Sequence, residues 1–200
     1  MAKKRNNLIL FIVLGAMVSA FLLTDIVRDR SKQRSYKTTL AQLDTAAIQR
    51  IQITPGSADG QAITFSRKDG QWQVASGGIQ AQAAPRAMQQ LLGSIALIEP
   101  QRLAARSKDK WEEYALTDSL ATHLSVATTN DDQALSLYVG RLAMRQPQGG
   151  RNAMRRNPQA SSMTYVRLGS GDEAYAIGGM MAMALKRGFS SWRKATFLKA

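Results

Sequence analysis

Leu8 to Leu23 runs for 16 residues without one charge, directly after Lys3, Lys4 and Arg5. As a helix this run reaches ~25 Å, slightly short of a bilayer's hydrocarbon core, and flanking Lys or Arg side chains can make up the difference by snorkelling. Nothing in it is amphipathic, so a helix of a soluble core is the weakest reading. A cleaved signal peptide competes, because Val18-Ser19-Ala20 resembles a small-residue cleavage site. Phe21, Leu22 and Leu23 carry the apolar run past that point, which favours a retained anchor. The expected organisation is a cytoplasmic tail over residues 1–7, a transmembrane helix over 8–24, a polar stalk over 25–44 and one extracytoplasmic domain over 45–200.

Orientation rests on two opposing sets of charges. Lys3, Lys4 and Arg5 favour an N-terminus inside, whereas Arg28, Arg30, Lys32, Arg34 and Lys37 follow the span, partly offset by Asp25 and Asp29. A folded domain of this size translocates largely regardless of its charge, so we expect the N-terminus in the cytoplasm and the domain outside it. The net charge of +13 is unevenly placed. Residues 25–132 hold 13 Lys/Arg against 12 Asp/Glu, and residues 133–200 hold 11 against 2. Such a bias points either to an anionic neighbour of the C-terminal half or to a solvated basic surface. The absence of cysteine excludes disulfides, thiol chemistry and a lipoprotein-type lipid attachment.

Beyond the stalk the hydrophobic pattern is mostly that of strands. Ile48, Ile51 and Ile53 open one that stops at Thr54-Pro55-Gly56. Ile63 and Phe65, then Trp72 and Val74, alternate on either side of Lys68-Asp69-Gly70, a strong hairpin signal. Pro85 suits the first position of a helix, and Met88, Leu91, Leu92, Ile95 and Ile98 follow at helical spacing up to Pro100. A short helical turn is expected at 108–114, followed by Leu116-Thr117-Asp118. Leu124 and Val126, then Leu135, Leu137 and Val139, give two more strands around Asn130-Asp131-Asp132. After a break at 141–161, strands resume at 163–168 and 174–177, with a short helix at 180–187 and Trp192-Arg193 ahead of Phe197-Leu198. The expected class is α+β, one antiparallel-sheet domain with two or three helices. The run 63–74 echoes 163–177, each hairpin preceding a Met- and Leu-bearing helix. Two related strand-hairpin-helix units and a chance likeness account for the echo equally well.

Catalytic signatures are absent from this pattern. The single histidine, His123, alternates with the inward Leu124 and is expected to face solvent. One histidine without cysteine makes no soft-metal site, and no cofactor is expected. Glu112-Glu113 and Asp131-Asp132 are adjacent pairs whose side chains diverge, so neither forms an acid/base couple. There is no nucleophile elbow or phosphate-cradling loop, and Gly169-Ser170-Gly171 is expected to be a hairpin turn. A non-enzymatic protein is the expectation.

The stretch 141–161 carries Arg141, Arg145, Arg151, Arg155 and Arg156 with no acid among them, and Ala-Met-Arg occurs twice. Arginine presents planar, bidentate donors to phosphate or carboxylate. These five residues are the candidate contacts for a protein partner, an anionic lipid or a glycan; a merely solubilising linker is the alternative. Nucleic acid is not expected, because no aromatics interleave with the arginines and export removes the usual targets.

After the membrane span, the order of elements resembles the bacterial family called domain of unknown function 4340. The likeness rests on Ile48, Ile51 and Ile53, on Asp69-Gly70-x-Trp72-x-Val74, and on Leu91-Leu92. It continues through Tyr114-Ala115-Leu116-Thr117-Asp118, Leu137-x-Val139-Gly140, Tyr165-Val166-Arg167, Tyr175-x-Ile177 and Trp192-Arg193, so it covers residues 45–198. The family tends to have Tyr-Gly-Leu where this chain has Ala115, and the arginine-rich insertion also departs from it. The resemblance implies an exported, single-pass protein of a bacterial inner membrane. It further implies an accessory component beside ABC-type export systems, with an integral-membrane partner and no catalytic residues to carry over.

Overall fold

The computed structural model describes residues 37–57, 60–144 and 162–194, which fall within one compact unit beginning at Lys37. The segment 8–24, Arg145, Arg151, Arg155, Arg156 and Phe197-Leu198 lie outside the described residues. No helix among those described is long and apolar enough to cross a membrane.

The domain is mostly antiparallel sheet with few helices. Strands β1 (Ala41–Gln42), β2 (Ile48–Thr54), β3 (Ile63–Lys68), β4 (Gln71–Ser76) and β5 (Ile79–Gln82) precede helix α1 (Pro85–Ala96). There follow β6 (Leu97–Ile98), β7 (Pro100–Ala105), β8 (Thr122–Thr128), β9 (Leu135–Met144), β10 (Ser162–Leu168) and β11 (Ala174–Gly178). The short helices α2 (Met181–Leu185) and α3 (Phe189–Trp192) come last. Nine strands form one sheet in the order β5-β4-β3-β2-β8-β9-β10-β11-β7, while β1 and β6 pair separately. Two four-stranded meanders therefore run outward from the central β2–β8 pair, and β7 crosses to the far edge.

Local chemistry explains the elements that the sequence announces. Asp69 and Gly70 both take positive φ, 49° and 76°, as a two-residue hairpin turn of matching twist requires. Pro85 opens α1, whose buried face is Ala87, Met88, Leu91 and Ile95. On the helix-bearing face of the sheet, Ile51, Phe65, Val74 and Val126 stand in register and are fully buried. Trp192 of α3 closes this core edge-on against Phe65, with ring centroids 5.1 Å apart.

Several expectations are corrected. The helix stops at Ala96 rather than running to Ile98: the residues ahead of Pro100 are held extended, and Leu97–Ile98 pairs with β1. That pairing, with Leu40 buried and its N–H bonded to Ile98 O, draws the last residues assigned to the stalk into the domain. The break expected from Arg141 begins later, because β9 continues to Met144 against Ser162, Met163 and Thr164. The echoed hairpins also differ in place. Counted outward from the centre, β3–β4 holds the second and third positions, whereas β10–β11 holds the third and fourth. The positional counterpart of β3–β4 is β9–β10, so the arginine-rich connection stands where the first meander has the Asp69-Gly70 turn.

Candidate functional site

The face of the sheet opposite the helices is open over the first meander and covered over the second. The cover is residues 107–121, a turn of 3-10 helix at Lys108–Lys110 followed by tight turns that bring Leu116 N–H to Trp111 O at 2.7 Å. Trp111 Nε1 donates to Asp172 O at 2.9 Å, tying the segment to the β10–β11 turn. Leu116 packs with Met163, Tyr165, Ala174 and Ala176 in a second small core. The approach is close. A Cβ on Gly140 would overlap the Tyr114 carbonyl oxygen, which accepts from Arg141 N–H at 3.0 Å. Ala115 turns the chain there with φ 54°, a conformation that suits glycine better than a residue with a Cβ.

Arg167 is the centre of this arrangement. It projects from β10 beneath the cover and is only 3% exposed. Its Nε donates to Leu116 O at 2.8 Å and its Nη2 to the Asp118 carboxylate. Its Cζ lies 3.9 Å from the Trp111 ring centroid and 3.5 Å from that of Tyr138, so the guanidinium sits between two aromatic faces. The cation is thus desolvated but partnered, which is the condition for burying a charge.

His123 continues the stack. Its ring lies 4.5 Å from Tyr138, and its Nε2 is 2.9 Å from Ser136 Oγ. Instead of facing solvent outright, as expected, it is half-buried on the face opposite Leu124. Burial pushes its pKa down, the Arg167 charge pushes the same way, and Asp118 opposes them. A neutral imidazole beside a hydroxyl has the spacing of a base and a nucleophile. Among the described residues, however, no carboxylate orients the other ring nitrogen, and Asp118 is engaged by Arg167. No group of three or more His, Asp or Glu able to hold a metal occurs among them either.

Of the five arginines singled out by sequence, only Arg141 is described. It is exposed at the end of β9, with its Cζ 6.0 Å from the Tyr114 ring and 5.9 Å from the Tyr165 ring. Those rings stack at 4.3 Å, and Arg102 of β7 donates to Tyr165 OH at 3.1 Å. Two exposed guanidiniums therefore flank one tyrosine pair, neither in an ion pair among the described residues. The sequence reading missed Arg167, Trp111, Tyr138 and Ser136. One available signal was the alternation of Tyr165 and Arg167 with inward Val166, which sets an aromatic and a cation side by side on the other face.

The chain matches no protein-family model, no curated protein and no solved structure.

Proposed function

We propose that this chain is a non-enzymatic, membrane-anchored accessory subunit of a transport or envelope assembly, of the ABC-type export kind. Residues 8–24 anchor it in a bacterial inner membrane, and the sheet domain lies outside the cytoplasm. The observation that carries this reading is the convergence of three motifs on which the family resemblance rests. Tyr114-Ala115-Leu116-Thr117-Asp118 lies over Gly140, and Arg167 of Tyr165-Val166-Arg167 bonds Leu116 and Asp118. The family's glycine falls at Ala115, where this chain has φ 54° and glycine fits best. Motifs distant in sequence but sharing one structural node support membership more than scattered matches would. The two meanders are read as related units in the corrected register, β2–β5 with β8–β11.

A tagged full chain extracted from membranes in mild detergent should bring an integral-membrane partner with it. Recovery of the chain in the soluble fraction, or from membranes with no such partner, would sink the proposal.

A second reading has its own support in the exposed arginines at Tyr165: a binding module for anionic glycan or lipid headgroups. The loop arginines Arg145, Arg151, Arg155 and Arg156, outside the described residues, offer the same bidentate donors as Arg141. Replacing all five by Ala should abolish salt-sensitive binding to vesicles containing anionic lipid; unchanged binding excludes this reading.

A further inference from the structure

Of the three tryptophans, Trp72 alone has an indole N–H with no acceptor among the described residues. Trp111 donates to Asp172 O at 2.9 Å and Trp192 to Arg187 O at 3.1 Å. No buried side-chain nitrogen among those residues lacks a partner, so the Trp72 N–H is open to solvent. We infer that its indole is the platform of a glycan-binding groove, which takes the pyranose rings of an oligosaccharide by their C–H faces and hydroxyls rather than by charge.

Trp72 lines a cavity of about 450 Å³ between the β3–β4 hairpin and the first turns of α1. Beside the buried Ala83 and Met88, its apolar wall is accessible: Trp72 and Leu92 are half-buried and Pro85 is exposed. Three exposed amides, Gln71, Gln82 and Gln89, edge that wall. Gln89 makes no side-chain bond among the described residues. Gln82 Nε2 donates to Gln71 Oε1 at 2.9 Å, which leaves the pair with an amide donor and a carbonyl acceptor to spare, whichever way the two amides are turned. A second cavity of about 550 Å³, on the open face of β4 and β5, shares Gln71 and Gln82 with the first. It continues the pattern, since Gln80 donates to Gln73 there. Every residue lining either cavity is described.

A flat apolar platform edged by amide donors and acceptors matches a sugar ring, which has a C–H face and a rim of hydroxyls that both donate and accept. Two adjoining cavities suit a chain of rings. An ion is not favoured: the charged lining residues are Lys68 and Arg67, the latter tethered through Nη1 to Ala46 O at 2.8 Å, and exposed Asp69 follows them in the chain. A proline-rich peptide fits less well, because such segments dock in aromatic-lined grooves and Trp72 is the one aromatic in either lining.

The test follows the indole proton resonance of Trp72, assigned by Trp72→Phe, as the purified full chain is titrated with cellohexaose, chitohexaose and maltohexaose. At least one hexaose should shift it while the Trp111 and Trp192 resonances stay in place, with the same affinity at low and high salt. By calorimetry, Gln89→Ala at an exposed helix position should weaken binding of that hexaose about fivefold, as the loss of one hydrogen bond does. Trp72→Phe, which keeps a ring and removes the N–H, should weaken it by a similar factor, and both variants should retain the melting transition. No response to any of the three sugars, tighter binding of a proline decamer, an affinity that falls with salt, or sugar binding indifferent to both variants would overturn the inference. So would binding seen only after residues 195–200 are deleted: Lys194 N–H bonds Gln82 O, and the groove would then be a seat for the chain itself. Replacing Arg141, Arg145, Arg151, Arg155 and Arg156 by Ala should leave hexaose binding unchanged, so this site and the anionic-surface reading fail separately.

Discussion

Moving outward from the central β2–β8 pair, the two meanders meet different surroundings. In β3, Ile63 and Phe65 are buried while Thr64 and Ser66 are half-exposed, because water reaches one face. In β10, six consecutive residues from Ser162 to Arg167 are buried, since helices lie on one side and the 107–121 segment on the other. A strand wetted on one face can carry polar residues at no cost. A strand covered on both must give each polar group an internal partner. Thr164 Oγ1 donates to Gly179 O at 3.0 Å and Arg167 is held by Leu116 and Asp118. No buried side-chain nitrogen or oxygen among the described residues lacks a partner.

The sharpest break of that comparison is to remove the same residue type from each half. Arg167→Ala should destabilise the domain by about 3 kcal/mol, from a lost charge-assisted bond, an orphaned carbonyl at Leu116 and two lost cation–π contacts. Arg50→Ala, on the open face of β2, should change stability by no more than about 0.5 kcal/mol. Asp118→Asn should cost under ~1 kcal/mol, because that carboxylate is 80% exposed and water replaces its partner. Urea unfolding of the three variants checks the ordering; an Arg167→Ala cost equal to that of Arg50→Ala would mean the cover adds nothing.

The next test lifts the cover itself. Gly140→Ala places a methyl into the Tyr114 carbonyl oxygen and should cost about 2 kcal/mol, as overpacking does. Trp111 should become accessible to a fluorescence quencher at the same time, while the cluster of Phe65 and Trp192 stays closed. Ala115→Gly acts in the opposite direction. It relieves φ 54° but adds freedom to the unfolded chain, so a gain of about 0.5 kcal/mol is expected, read as a higher melting temperature.

Most of the open half could be read from the sequence, because water on one face enforces the alternation that marks a strand. Pro85 and Asp69-Gly70 then fixed where α1 and the first hairpin begin and turn. The edge strands were missed for the complementary reason. β5 holds Ile79, Gln80, Ala81 and Gln82, all exposed or half-exposed, and β7 begins at Pro100 and has no buried residue, so neither has a buried apolar face to show. The tail of β9 was hidden in the same way, its Arg141 and Met144 being exposed. The covered half hides its logic differently. Arg167 meets Leu116 and Asp118 across 51 and 49 residues of chain, and no spacing rule joins groups so far apart. What the sequence did hold was the odd company of Tyr165 and Arg167 on one face. That pairing called for a cover, and the cover was present in the text as Trp111 and Tyr114 without any sign of where it would land.

The finest test titrates the boundary between the two halves. His123 on β8 lies at the rim of the cover, facing Tyr138, Ser136, Arg167 and Asp118. Its pKa is depressed from the usual 6.5, first by burial and then by the Arg167 charge. The unfolded chain therefore binds the proton at a higher pH than the folded one does, and stability rises with pH across that interval. The contribution is fully present above about 6.5 and is lost as pH falls through the folded value. His123→Gln should flatten this part of the stability–pH profile. In Arg167→Ala the depression should shrink but not vanish, because burial is the larger cause, and the His123 titration followed by proton NMR reads this directly. A depression wholly abolished by Arg167→Ala would show that charge rather than burial governs the rim, and the covered half would then hold its edge by electrostatics instead of exclusion of water.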